Sequence, residues 1–191
     1  MKKLIFSIMC AMVATISAVA GSPFKVVDGQ LPSLQDKKVF VEYDEKDMMI
    51  LDEDTKKTMT IEQFCQMKGE DWVRDIHKDD FDAHTAFEKV LFKKAKFTLV
   101  NEKSDADYIL VCKPTTFSYG NPHVAVTAFM SNDVFGFFIG EFYIKTPAGA
   151  TVAKIDCKKI HPSSSGGWSF TAQKCGVYEK VAKELVSFLK K

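Results

Sequence analysis

The stretch from Val134 to Ile160, VFGFFIGEFYIKTPAGATVAKIDCKKI, limits the fold more than any other part of the chain. It reads as two strands joined by the turn Thr146-Pro147-Ala148-Gly149, where proline presets φ at the second turn position and glycine closes the turn. If Thr146 faces Gly149, then Phe142 faces Ala153, Phe138 faces Cys157 and Glu141 faces Lys154. One face of the ribbon carries Phe138, Phe142, Ile144, Ala153, Ile155 and Cys157, and the other carries Glu141, Lys145, Lys154, Asp156 and Lys158. A strand pair with one apolar and one charged face must cover the first and wet the second, so a core layer is required on one side of an antiparallel sheet.

The sequence supplies that layer as helices. Ser169 caps a segment from Phe170 to about Lys190 whose stripe is Lys174 (through its aliphatic stem), Cys175, Tyr178, Val181, Ala182, Leu185 and Leu189. Upstream, Thr60-Ile61-Glu62-Gln63 has capping-box chemistry, and Gly69 marks a break. Trp72, Val73 and Ile76 face inward on the next turns. Asp79 or Asp80 then caps a helix over roughly 81–94 with the stripe Ala83, Ala86, Phe87, Val90 and Leu91.

Strands fill the rest. Residues 38–44, KVFVEYD, alternate with Val39, Val41 and Tyr43 on one side. The island Met48-Met49-Ile50-Leu51 either extends that strand past a bulge or pads a loop. Residues 97–100 read as a short strand, and 106–116 as a long, central one with Pro114 at a bulge. A further short strand is expected within 123–130. The order strand, helices, strands, helix predicts an α+β fold. Its sheet is largely antiparallel or mixed, of about four to six strands, with helices packed on one face and a helix at the C-terminus.

Residues 1–20 have the pattern of a secretory signal. Lys2 and Lys3 precede an apolar run from Leu4 to Val19, and Ala18-Val19-Ala20 is a small-x-small cleavage site. The expected plan is a signal at 1–20, a lead-in at 21–37 and one α+β domain at 38–191. No transmembrane segment is expected in the mature chain, which would be periplasmic, extracellular or at the cell surface. Removing Lys2 and Lys3 turns the formal charge from +1 to −1, a balance with no general attraction for nucleic acid. Cys65, Cys112, Cys157 and Cys175 would remain after cleavage. They sit in apolar stripes without metal-ligand spacing, which favours buried thiols over two disulfides.

The candidate sites are few. Residues 75–84, DIHKDDFDAH, form the densest polar cluster, and His77, Asp79 and His84 are the residue types that hold Zn²⁺. Convergence of three ligands is not implied by their spacing, and helix capping by Asp79 or Asp80 with first-turn acids is the favoured explanation of the cluster. Ser163-Ser164-Ser165 near His161 lies in a Ser-Gly loop, where a nucleophile would lack a rigid turn. Phe135 and Phe137 fall on the face that turns polar further along the strand. They are the candidate partner-binding anchors, although a strand end covered by the lead-in or by the 117–133 loop is the favoured reading. No catalytic residue and no cofactor is assigned.

The strand Asp105-Ala106-Asp107-Tyr108-Ile109-Leu110, the hairpin segment Tyr143 to Ala153 and the terminal helix resemble a group of envelope domains. The group includes the N-terminal domain of the translocation protein TolB and the curli-secretion lipoprotein CsgG. The resemblance covers roughly residues 80–190. Gly69 to Asp75, GEDWVRD, is similar to small exported proteins of gut Bacteroidetes. The first resemblance implies a fold and an envelope setting, and neither implies catalytic residues. The expectation is an exported, non-enzymatic domain that binds an envelope protein or an extracellular ligand. The alternative is a small metal-dependent or hydrolytic enzyme using the His/Asp cluster.

Overall fold

A computed structural model describes residues 21–120, 135–162 and 169–190. The signal-like segment 1–20, the expected strand within 123–130 and the serine loop at 163–165 lie outside the described residues.

The elements run β1 (Phe24–Gly29), β2 (Lys38–Tyr43), β3 (Met49–Asp52), β4 (Lys57–Thr60), α1 (Ile61–Lys68), α2 (Glu70–Lys94), β5 (Thr98–Leu99), β6 (Tyr108–Gly120), β7 (Phe135–Lys145), β8 (Thr151–Ile160) and α3 (Phe170–Leu189). The class is α+β with a C-terminal helix. The eight strands among the described residues all join one sheet, more than the sequence implied. Its order is β1-β8-β7-β6-β2-β5, with β3 beside β6 and β4 beside β3. Pairing is antiparallel through β1, β8, β7 and β6, and parallel where β2 and β3 meet β6. The Met48–Leu51 island thus continues the line of β2 along β6, with Ile50 opposite Phe117.

The central hairpin forms, but its register differs from the expected one by two residues. Ile144 faces Ala153, Phe142 faces Ile155 and Gly140 faces Cys157. The cause lies in the turn. The Thr146 amide donates to the Ala150 carbonyl and the Gly149 amide to Thr146, so the reversal holds one residue more than a four-residue turn. An irregularity between Ile144 and Lys145 adds the second step. A shift of two leaves every side chain on its face. Phe138, Phe142, Ile144, Ala153, Ile155 and Cys157 are all buried. Glu141 and Lys154, now diagonal, still meet at 2.7 Å.

Two boundaries move. The lead-in contributes β1, an edge strand on β8, and Phe24 and Leu34 enter the core. The two helical segments upstream of Lys94 are one helix, α2, so Asp79 and Asp80 are mid-helix and cap nothing. Gly69, at φ 106°, is the break that separates α1 from it. Thr60 and Gln63 do form the capping box of α1. Pro114 sits at the irregularity of the β6–β7 ladder, where Gly140 lies so close to β6 that an added Cβ would stand 2.5 Å from the Lys113 carbonyl oxygen.

The buried residues of α2 and α3 form one apolar cluster with one face of the sheet. Phe142 links its layers, with ring contacts to Phe24 of β1, Phe87 of α2 and Phe138. Among the described residues Cys65, Cys112, Cys157 and Cys175 are free; the first three are buried, and burial pushes their thiols up. No helix among the described residues is long and apolar enough to cross a membrane.

Candidate functional site: a buried ionic cluster, an aromatic cleft and an exposed helix face

Three of the chemistry-bearing residues of 75–84, Asp79, Asp80 and His84, turn toward α3 or the sheet. The chain breaks between β2 and β3 at Glu45, whose side chain turns inward. His84 Nε2 lies 3.1 Å from Glu45 Oε1, and the Tyr178 hydroxyl donates to the same oxygen. The His84 ring stacks on Tyr43 with centroids 3.6 Å apart, and the Tyr43 hydroxyl donates to Glu88 at 3.2 Å. One turn back on α2, Asp79 is buried and accepts from the Thr171 hydroxyl, and Asp80 pairs with Lys174. The expectation that Lys174 buries only its stem is corrected: its side chain is 0% exposed, ammonium included. The rings of Phe117, Tyr119 and Tyr178 surround that charge at 5.5, 6.0 and 5.8 Å. A lysine reaches such a place only when a carboxylate and aromatic faces replace its water.

This arrangement ties α2 to α3 through Asp79–Thr171 and Asp80–Lys174, and both helices to Glu45 through His84 and Tyr178. Asp79 and His84 each have their own partner, and the His77 side chain lies outside the described ones. Among the described residues no group of three or more His, Cys, Asp or Glu is placed to hold a metal ion. His161 is half-buried beside Phe137, and burial together with Lys159 pushes its imidazole down.

Burial pushes the Glu45 carboxyl up, but the His84 hydrogen bond, the charge of Lys174 and the Tyr178 hydroxyl more than offset this and leave it below its ordinary value of 4.5. A carboxyl with a depressed folded pKa adds stability above its unfolded pKa, and that stability is lost as pH falls through the folded one. Asp52 and Glu141 shift the same way. The urea midpoint is therefore expected to fall as pH drops below about 4.5. Glu45→Gln should make that fall shallower, and an unchanged slope would show that Glu45 is not ionised in the folded protein.

The partner-binding expectation for Phe135 and Phe137 meets a plain obstacle. Phe137 is 3% exposed. Lys159 Nζ lies 3.9 Å from its ring centroid and His161 packs at its edge, so this strand end is covered by its own chain. Phe135 is half-buried and pairs with Gly120 in the ladder.

The exposed aromatics are elsewhere, on α2. Phe81 is 70% exposed and Phe92 78%. The buried positions of this helix, Ile76, Asp79, Ala83, Phe87, Val90 and Leu91, share one stripe. At about 100° per residue, Phe81 and Phe92 lie on the opposite side, about 20° apart around the helix and about 16 Å apart along it. Lys78, Thr85 and Lys89 are exposed on the same side. The sequence carried a signal for this: both phenylalanines fall off the apolar stripe, and a large ring off the stripe has nothing in its own fold to cover it.

A second surface feature is a cleft of about 180 Å³ where α1, α2 and α3 approach the end of β6. Its lining combines the rings of Phe64, Trp72, Tyr119 and Phe170 with the charged side chains of Asp52, Glu53, Asp54 and Lys68. A larger cleft of about 300 Å³ lies between the lead-in and the ends of α2 and α3, with Phe97 as its one aromatic lining residue and no carboxylate.

No protein-family model matches the chain, and no curated protein matches it. Among solved structures it is similar to the PelC dodecamer from Paraburkholderia phytofirmans, with 12% identity and a TM-score of 0.37 over 84% of this chain and 96% of that one. A leucine-to-methionine variant of the same dodecamer gives 12% identity and a TM-score of 0.35 over 85% and 98%. Likeness at this level transfers no residue role.

Proposed function

We propose that this chain is an exported, non-enzymatic domain that works by binding in the cell envelope or outside the cell, and that the outer face of α2 is its protein-facing surface. The observation that carries this is the exposure of Phe81 and Phe92 on one side of one helix. Large aromatics held in water on a rigid element are a cost in the free domain, and they are common anchors where a partner buries them. The exposed Lys78 and Lys89 between and beside them favour an acidic partner surface. The signal-like N-terminus supports the export part of the reading. A metal-dependent or hydrolytic activity has less support, because Asp79 and His84 are engaged by Thr171 and Glu45.

The test is the double variant Phe81→Ser with Phe92→Ser. Neither ring packs in the core, so the melting temperature should move by no more than about 2 °C. Capture of the native partner from an envelope fraction should be lost, since each ring buried in an interface contributes about 1–3 kcal/mol. Undiminished capture would remove this face from consideration.

A further inference from the structure

We propose that the cleft lined by Phe64, Trp72, Tyr119 and Phe170 is a binding site for a small organic ammonium ion. It is separate from the α2 face and does not depend on it. The aromatic lining is tightly built. Trp72 packs edge-on against Phe64 at 5.0 Å and Tyr119 at 5.2 Å, and lies 4.4 Å from Phe170, while Phe64 stacks on Tyr119 at 5.7 Å. Ring faces carry negative quadrupole potential and attract a cation whose own shell is apolar. The lining adds three carboxylates, Asp52, Glu53 and Asp54, against two ammoniums, Lys68 in the lining and Lys56, which pairs with Glu53 at 2.6 Å. Charge complementarity therefore selects a cation over a neutral or anionic ligand of the same shape.

The chain already shows what this place stabilises. Lys68 Nζ sits 5.6 Å from the Phe64 centroid while pairing with Asp52 at 2.9 Å and Asp54 at 3.3 Å. It is an internal ammonium on the same ring and the same carboxylates that a ligand would use. Asp52 is fixed for the role. It is buried, it accepts from both the Thr55 amide and the Thr55 hydroxyl, and those bonds with Lys68 hold its carboxyl below the ordinary range despite burial. Glu53 is fixed by the Ser118 hydroxyl at 3.0 Å. The volume is smaller than the roughly 300–1,000 Å³ of sites that engulf a large ligand, which limits the occupant to a headgroup-sized cation.

Titration of the purified protein with choline, and in parallel with 3,3-dimethylbutan-1-ol, its uncharged counterpart of the same shape, tests the proposal by calorimetry or ligand-observed NMR. Choline is expected to bind with a Kd of about 1–10 mM and the alcohol at least about tenfold more weakly. Trp72→Leu should abolish choline binding. Because that change also touches packing, Asp54→Asn, at an exposed lining carboxylate, is the second arm: it should weaken choline severalfold and leave the alcohol unchanged. Lys68→Met, which removes the competing internal ammonium, should tighten choline. Equal binding of the two probes, no binding of choline, or choline binding indifferent to both Trp72→Leu and Asp54→Asn would each overturn the proposal. None of these readouts involves the α2 face, so they stand or fall apart from the partner surface.

Discussion

Lys174→Ala is expected to destabilise the domain by about 3–5 kcal/mol, read as a lower urea midpoint at neutral pH. The lysine is fully enclosed, and its ammonium is held by Asp80 among three rings. Alanine removes the cation, leaves a cavity along the stem and strands the Asp80 carboxylate between α2 and α3. Asp80 is a quarter exposed, so water reaches it in part and the loss should sit toward the lower end of that range. Lys174→Met keeps most of the volume and should cost less. Combining it with Asp80→Asn should recover part of the loss, because removing both charges is milder than removing one. A cost under about 1 kcal/mol for Lys174→Ala would mean that the ammonium reaches solvent in the folded protein.

Phe142→Ala should have a comparable effect, about 3–5 kcal/mol. The ring is wholly buried and touches Phe24 at 5.7 Å, Phe138 at 5.9 Å and Phe87 at 6.2 Å. Those partners belong to β1, β7 and α2, so the cavity would lie where sheet and helix layers meet. The β7 backbone is held on both sides by β6 and β8 and cannot collapse into it. Against a total stability of about 5–15 kcal/mol for a domain, either change leaves little margin. A Phe142→Ala loss below about 1 kcal/mol would show that the layers are not packed through this ring.

Much of this fold was legible because its elements are amphipathic and alternate cleanly. The hairpin faces, the α1 capping box, the α3 stripe and the central position of β6 follow from period and cap chemistry that sequence displays locally. What escaped depended on partners far along the chain. Phe24 and Val26 read as lead-in because an edge strand needs only one neighbour, and that neighbour, β8, lies more than a hundred residues on. Asp79 and Asp80 read as caps because a pair of aspartates inside a helix is unfavourable unless something answers it. Thr171 and Lys174 do so, 92 and 94 positions away. The hairpin register slipped by two because Thr146 closes its turn on Ala150, a choice of turn geometry that proline and glycine leave open.

The candidate site was less legible for the same reason. Phe137 read as a ring on a polar face, and Phe81 only as the start of a helix. Lys159 and His161 cover Phe137, whereas nothing in α2's own packing reaches Phe81 or Phe92. Local pattern identifies an aromatic off its stripe, and only the assembled fold says whether another element has covered it. The cleft could not be read at all: Phe64, Trp72, Tyr119 and Phe170 come from four elements or helix ends and converge only in three dimensions.

We propose that the outer face of α2 meets a partner. The most direct test is site-specific photo-crosslinking in producing cells, with p-benzoylphenylalanine placed at Phe81, at Phe92 and, as a control, at the exposed Glu102. Positions 81 and 92 are expected to capture the same protein and position 102 to capture none. Adducts absent from both helix positions, or equally abundant from the control, would contradict it.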